Sequence, residues 1–157
     1  ESLSRSVMIN YQSPDLTQHP PRSPRVRLGG FVHLPRLLDK ARAFAAGKHG
    51  GFIYPCPLDK RLLDFVGIDP DVFLAQIQSG KSDTEMLDWL TSHMSPPRRP
   101  HEILAWSRWM ENVAPGDPQR HANFATEIER LAPGRTDIVT TFDRLDLDDY
   151  IAYGGKG

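Results

Sequence analysis

Cys56 is the only thiol in the chain, and it stands in the run Tyr-Pro-Cys-Pro-Leu-Asp. The prolines on either side fix the backbone around it, and the residues after Pro57 follow a helical pattern, so the sulfur is placed beside a helix N-terminus. The partial positive charge of such a terminus favours thiolate, the nucleophilic form of cysteine. Lys60, Arg61, His33 and His49 are the partners the fold would have to bring to it. A single cysteine serves equally well as a small buried apolar residue, so a reactive role and a packing role both stay open.

The second chemical signal is a charge asymmetry. Between Arg22 and Lys48 lie seven cations, with Asp39 as the only carboxylate. Arginine forks match carboxylates and phosphates bidentately. Arg25 and Arg27, on a stiff arm, are therefore expected to converge with Arg36, in the first turn of a helix, on a small anion, with Tyr54 supplying a hydroxyl. The opposing explanation is internal. The C-terminal stretch carries Asp137, Asp143, Asp146, Asp148 and Asp149, and a basic segment facing an acidic one in the same fold is an ordinary match.

The remaining candidates are weaker. His33 precedes the first helix beside Arg36 and Asp39, where a neutral imidazole can exchange a proton. The six histidines do not pair at the spacing that helical metal ligands need, so no metal site and no cofactor are expected. Asp59 falls in the first turn of its helix, where favouring the helix dipole accounts for it. Trp89 and Trp106 follow the apolar stripes of their helices, whereas Trp109 lies off its stripe and is the better interface candidate. No glycine-rich phosphate loop, nucleophile elbow or HExxH word occurs.

The elements that must position these residues are short and well punctuated. Residues 13–30 contain four prolines, which remove backbone donors and push preceding residues to extended conformations, so this arm is read as extended and anchored by Leu16, Val26 and Leu28. A helix is predicted from Pro35 to Gly47 on the stripe Leu37, Leu38, Ala41, Phe44 and Ala45. A second follows Pro57 and ends at Gly67, and a third opens at Asp69-Pro70 and stops at Gly80. Ser82 and Glu85 form a capping box for a fourth. Pro100 opens a fifth and Asp117-Pro118 a sixth. Residues 138–146 fit either a strand or a helix, and a short helix is preferred.

With 157 residues, 39% hydrophobic and 25% charged, the chain has the composition of one globular domain. A net charge of -1 and an isoelectric point of about 6.7 argue against a dedicated nucleic-acid binder. No apolar run approaches a membrane span, and the lone cysteine indicates a reducing compartment, so a soluble, cytoplasmic protein is expected. Residues 1–12 are set apart as a tail, and residues 13–157 as a single helical domain.

The words DLTQHPPRSPRVRLGG, HLPRLLDKARA, YPCPLDKRLLDF and GKSDTEMLDWL, in that order, make the chain similar to an uncharacterised bacterial family, domain of unknown function 5069. That resemblance implies a small domain and carries no activity, substrate or catalytic residue. The expectation is thus an all-α fold of five to seven short helices with an extended Pro-rich N-terminal arm. Its leading function is binding of a small anionic metabolite where the arm, the first helix and the YPCPLD turn meet. The alternatives are an interaction module or homo-oligomer without catalysis, and a small enzyme using Cys56 or His33.

Overall fold

The computed structural model describes residues 13–157; the tail at residues 1–12 lies outside them. Among the described residues the chain forms seven helices: α1 (Leu34–Ala45), α2 (Pro57–Val66), α3 (Pro70–Gln78), α4 (Asp83–Ser92), α5 (Pro100–Glu111), α6 (Pro118–Leu131) and α7 (Thr141–Ala152). Their starts follow side-chain chemistry. Asp69 caps α3, Asp117 caps α6, and Ser82 with Glu85 closes a capping box on α4.

Two elements depart from the sequence expectation. The extended arm ends in a hairpin that the sequence reading did not include: Arg27–Leu28 (β1) and Phe31–Val32 (β2) pair antiparallel, Arg27 opposite Val32 and Leu28 opposite Phe31. The two-residue connection has positive φ at both Gly29 (59°) and Gly30 (85°), the backbone that a tight hairpin needs and that glycine adopts without a Cβ clash. Leu16 and Leu28 do pack inward, but Val26 is exposed. The second difference is at the C-terminus. The helix there starts only at Thr141, because the Thr140 hydroxyl accepts from the Asp143 amide while the Asp143 carboxylate accepts from the Thr140 amide.

Helix α1 runs through the middle of the fold. Leu34, Leu37, Leu38 and Ala41 join Leu62, Leu63 and Val66 of α2, Phe73 and Ile77 of α3, Met86 and Leu90 of α4 and Ile103 of α5 in the main core. Smaller clusters tie on the rest: Val32, Met110 and Phe142 join β2, α5 and α7, and Ile128, Ala132 and Leu147 join α6 to α7. Since neighbours surround α1, its charged side chains are buried too. Arg36, Lys40 and Arg42 are 3%, 4% and 3% exposed, and each meets a carboxylate from a different helix: Asp149 of α7, Asp59 of α2 and Asp83 of α4. Burying such ions without partners would cost several kcal/mol each.

Candidate functional site

Where α1, the segment 51–58 and α7 meet, they enclose a cavity of about 560 Å³. Its wall includes His33, Arg36, Lys40, Cys56 and Arg144, interspersed with the apolar Phe52, Ile53, Leu58, Leu145 and Ala152.

At the inner end, Asp59 organises a closed set of polar contacts. It accepts from Lys40 Nζ at 2.8 Å, contacts His33 Nε2 at 2.7 Å, and accepts from the Cys56 amide at 2.9 Å. The Lys40 ammonium also donates to Cys56 Sγ at 3.1 Å, and the Asp59 amide points at the same sulfur from 3.5 Å. Cys56 is therefore the N-cap of α2, with Asp59 returning the cap from the third helical position. Burial raises the Asp59 pKa, but the bond to His33, the Lys40 charge and the Cys56 amide outweigh it and leave the carboxyl ionised with a pKa of about 2. Burial lowers the His33 pKa, so the imidazole is neutral. We assign the proton to Nε2, which donates to Asp59. This leaves Nδ1 a bare acceptor, and Nδ1 is indeed buried with no hydrogen-bond partner.

The backbone at His33 carries strain. Its φ of 70° makes it the only non-glycine residue with positive φ among those described. Such a conformation costs on the order of 1–3 kcal/mol and persists only where surrounding contacts over-determine it, a pattern concentrated at functional sites.

An imidazole nitrogen of His33, Cys56 Sγ and an Asp59 oxygen lie within 4.8 Å of one another, a donor set suited to a borderline metal. The Lys40 ammonium already bonds to two of those three groups, so the cluster holds its cation covalently tethered.

The residues singled out in the sequence are distributed unequally. Cys56, His33 and Arg36 all reach the cavity wall. Arg36 arrives there already paired with Asp149 at 2.7 Å, its guanidinium 5.6 Å from the Phe52 ring centre. Arg25 and Arg27 do not converge on it: Arg25 pairs with Asp143 and Asp146, and Arg27 with Glu111. The arm contributes no wall residue, and the match between basic arm and acidic C-terminal helix is formed inside the fold. Tyr54 is buried and its hydroxyl donates to the Pro70 carbonyl at 2.7 Å, away from the cavity; burial raises its pKa and keeps it protonated. Asp59, assigned to the helix dipole from its position, is fully buried at the centre of the cluster. Lys40 and Arg144 carried no signal on their own, although His33, Arg36 and Lys40 recur at the three- and four-residue steps that put them on one helical face.

A sequence model for one protein family matches residues 18–151, nearly the whole described chain. The chain belongs to the DUF5069 family. The description of DUF5069 is a domain of unknown function, so membership assigns no reaction to the cavity. No curated protein sequence matches the chain. No helix among the described residues is long and apolar enough to cross a membrane.

Proposed function

We propose that the protein binds a small anionic metabolite in the cavity between α1, segment 51–58 and α7. The observation that carries this reading is Arg144. This half-buried residue lines the cavity and the adjoining groove where its charge acts on Glu127, yet it makes no hydrogen bond or ion pair with any described residue, whereas the neighbouring cations Arg36 and Lys40 are matched. An unmatched arginine on a partly apolar wall is suited to a carboxylate or a phosphate. Asp148, on the same wall and likewise without a hydrogen bond or ion pair, repels a dianion and favours a monocarboxylate. Phe52, Ile53, Leu58 and Leu145 suit an apolar remainder on that ligand. The single cysteine, unpaired, supports a reducing cytoplasmic setting.

Thermal shift against straight-chain monocarboxylates and inorganic phosphate tests the reading. Ligand at a hundred times its dissociation constant adds about 2.7 kcal/mol, roughly 5–10 °C for a chain of this size. We expect the shift with monocarboxylates, its loss in Arg144→Ala and its retention in Arg25→Ala. No shift with any acid in the series would overturn it.

A second reading, an interaction module that pairs with another copy of the chain, is favoured by Trp109. The residue is 53% exposed and its ring centre lies 5.4 Å from the Arg61 guanidinium, an aromatic-arginine pair of the kind enriched at interfaces. A monomer at all concentrations in sedimentation would remove this reading.

A further inference from the structure

Arg144 and Asp148 stand one helical turn apart on α7, both half-buried and both in the cavity wall. An arginine and an aspartate four residues apart on a helix are neighbours that ordinarily pair. These two do not, and neither makes a hydrogen bond or ion pair with any other described residue. The other charges that they feel are spent elsewhere. Arg144 acts on Glu127 and Asp148 on Arg130, but Glu127 and Arg130 are already joined to each other at 2.7 Å. The wall therefore offers a cation and an anion side by side, each without a match.

A separate observation calls for a hydrogen-bond donor in the same cavity. His33, also in the wall, is fully buried and has committed every polar atom but one. Its amide donates to the Pro24 carbonyl, its carbonyl accepts from the Leu37 amide, and Nε2 is bonded to Asp59. Nδ1 is left without a partner. A buried acceptor without a donor is costly. The cations around the imidazole do not serve it, since Lys40 is held by Asp59 and Arg36 by Asp149. Phe52, Ile53, Leu58 and Leu145 add apolar surface to the cavity.

We propose that the ligand of this cavity is an apolar α-amino acid, bound as its zwitterion. Its carboxylate pairs with Arg144 and its ammonium with Asp148, one ammonium N–H donates to His33 Nδ1, and its side chain lies on the apolar wall. The two charged groups of an α-amino acid are substituents of one carbon, so a single small molecule spans the arginine and the aspartate of one helical turn. A plain carboxylate leaves Asp148 and His33 unmatched, and a plain amine leaves Arg144 unmatched. The zwitterion answers all three with few, convergent polar contacts, as small-molecule sites do. The inference rests on Arg144 as the carboxylate contact of the proposed function and adds the ammonium and its two acceptors.

Norleucine, 2-hydroxyhexanoate, hexanoate and pentylamine share one carbon chain and differ in the polar groups on it. Their dissociation constants for the full chain are measured by titration calorimetry at neutral pH. Norleucine should bind at least about tenfold tighter than hexanoate or pentylamine, the effect of one added charge-assisted contact. 2-Hydroxyhexanoate, which brings a donor without the positive charge, should fall between. Asp148→Asn should remove the advantage of norleucine and strengthen hexanoate, because it abolishes the repulsion of a lone carboxylate. No hydrogen bond or ion pair of the fold depends on that side chain, so the variant reads binding rather than folding. Arg144→Ala should weaken norleucine and hexanoate and spare pentylamine. 2-Hydroxyhexanoate bound as tightly as norleucine would show that a hydroxyl meets Nδ1 and would overturn the proposal, as would an Asp148→Asn chain that still prefers norleucine. Hexanoate bound as tightly as norleucine would overturn it and leave the carboxylate reading standing; no binding by any of the three acids would remove both.

Discussion

Lys40 Nζ and Asp59 Oδ2 are 2.8 Å apart in a place where neither side chain is more than 5% exposed. Nineteen residues separate them in sequence, and this one contact joins the central helix to the helix that carries Cys56. Removing one partner of a buried pair leaves an uncompensated ion, which costs about 3–5 kcal/mol. Asp59→Ala is therefore expected to lower stability by that amount in urea denaturation. Adding Lys40→Met to it should recover part of the loss. A single-variant cost below about 1 kcal/mol would show that water reaches the pair.

The two arginines predicted to act together should behave differently. Arg36→Ala strands Asp149 and removes a side chain buried beneath Phe52, so a loss of about 3 kcal/mol or more is expected. Arg25 is 43% exposed, and its bonds to Asp143 and Asp146 lie at the surface. Arg25→Ala should cost no more than about 1 kcal/mol. Comparable losses in the two variants, measured by denaturant midpoint, would contradict the burial difference.

Stability should fall on acidification in two windows. A His33 pKa lowered by burial means that the unfolded chain takes up this proton first, so folding loses free energy as pH drops below the usual imidazole value of about 6.5 toward the folded-state value. Asp59, at about 2 when folded and 3.8 as the reference, contributes stability above its reference value that disappears as pH falls through about 2. Melting temperature between pH 7.5 and 5 should decline more steeply for the parent than for His33→Gln. Parallel curves would mean that His33 is not kept neutral by the fold.

Helix α7 depends on its first turn. Thr140→Ala removes the hydroxyl that accepts from the Asp143 amide at 3.1 Å, at a cost of about 1 kcal/mol, or 2–4 °C in melting temperature. Because α7 carries Arg144, the same variant should also weaken carboxylate binding. An unchanged melt would indicate that the tertiary contacts of α7 make the cap redundant.

The sequence made the helix boundaries legible where local chemistry decides them. Asp69-Pro70, Ser82 with Glu85 and Asp117-Pro118 each cap the helix expected of them. The start of α7 was carried by the same kind of signal, Thr140 with Asp143, but the β-branched run before it obscured the pattern. Cys56, His33 and Arg36 were legible as chemistry-bearing residues and do share a cavity. Lys40, Asp59 and Arg144 were not, because charge alone points a side chain to water, and only tertiary packing puts α1 where its lysine and arginines have no water to reach. Arg25 and Arg27 misled for the converse reason. Their acidic partners lie more than 80 residues later in the chain, and pairing with them keeps both arginines off the cavity wall.

Three buried cations on α1, each answered by a carboxylate on a different helix, make the docking of that helix a keyed fit. Sliding it by one turn, or rolling it by a quarter, misaligns all three matches at once, so partly assembled arrangements gain little over none. The consequence reaches the cavity directly. Two of those keys also shape it: Arg36 and Asp149 both stand in its wall, and Lys40 stands there held from behind by Asp59. The pocket therefore has no independent existence that could drift by gradual substitution: a change at either key must be answered across the helix boundary, and positions 40 and 59, like 36 and 149, are bound to change together or not at all.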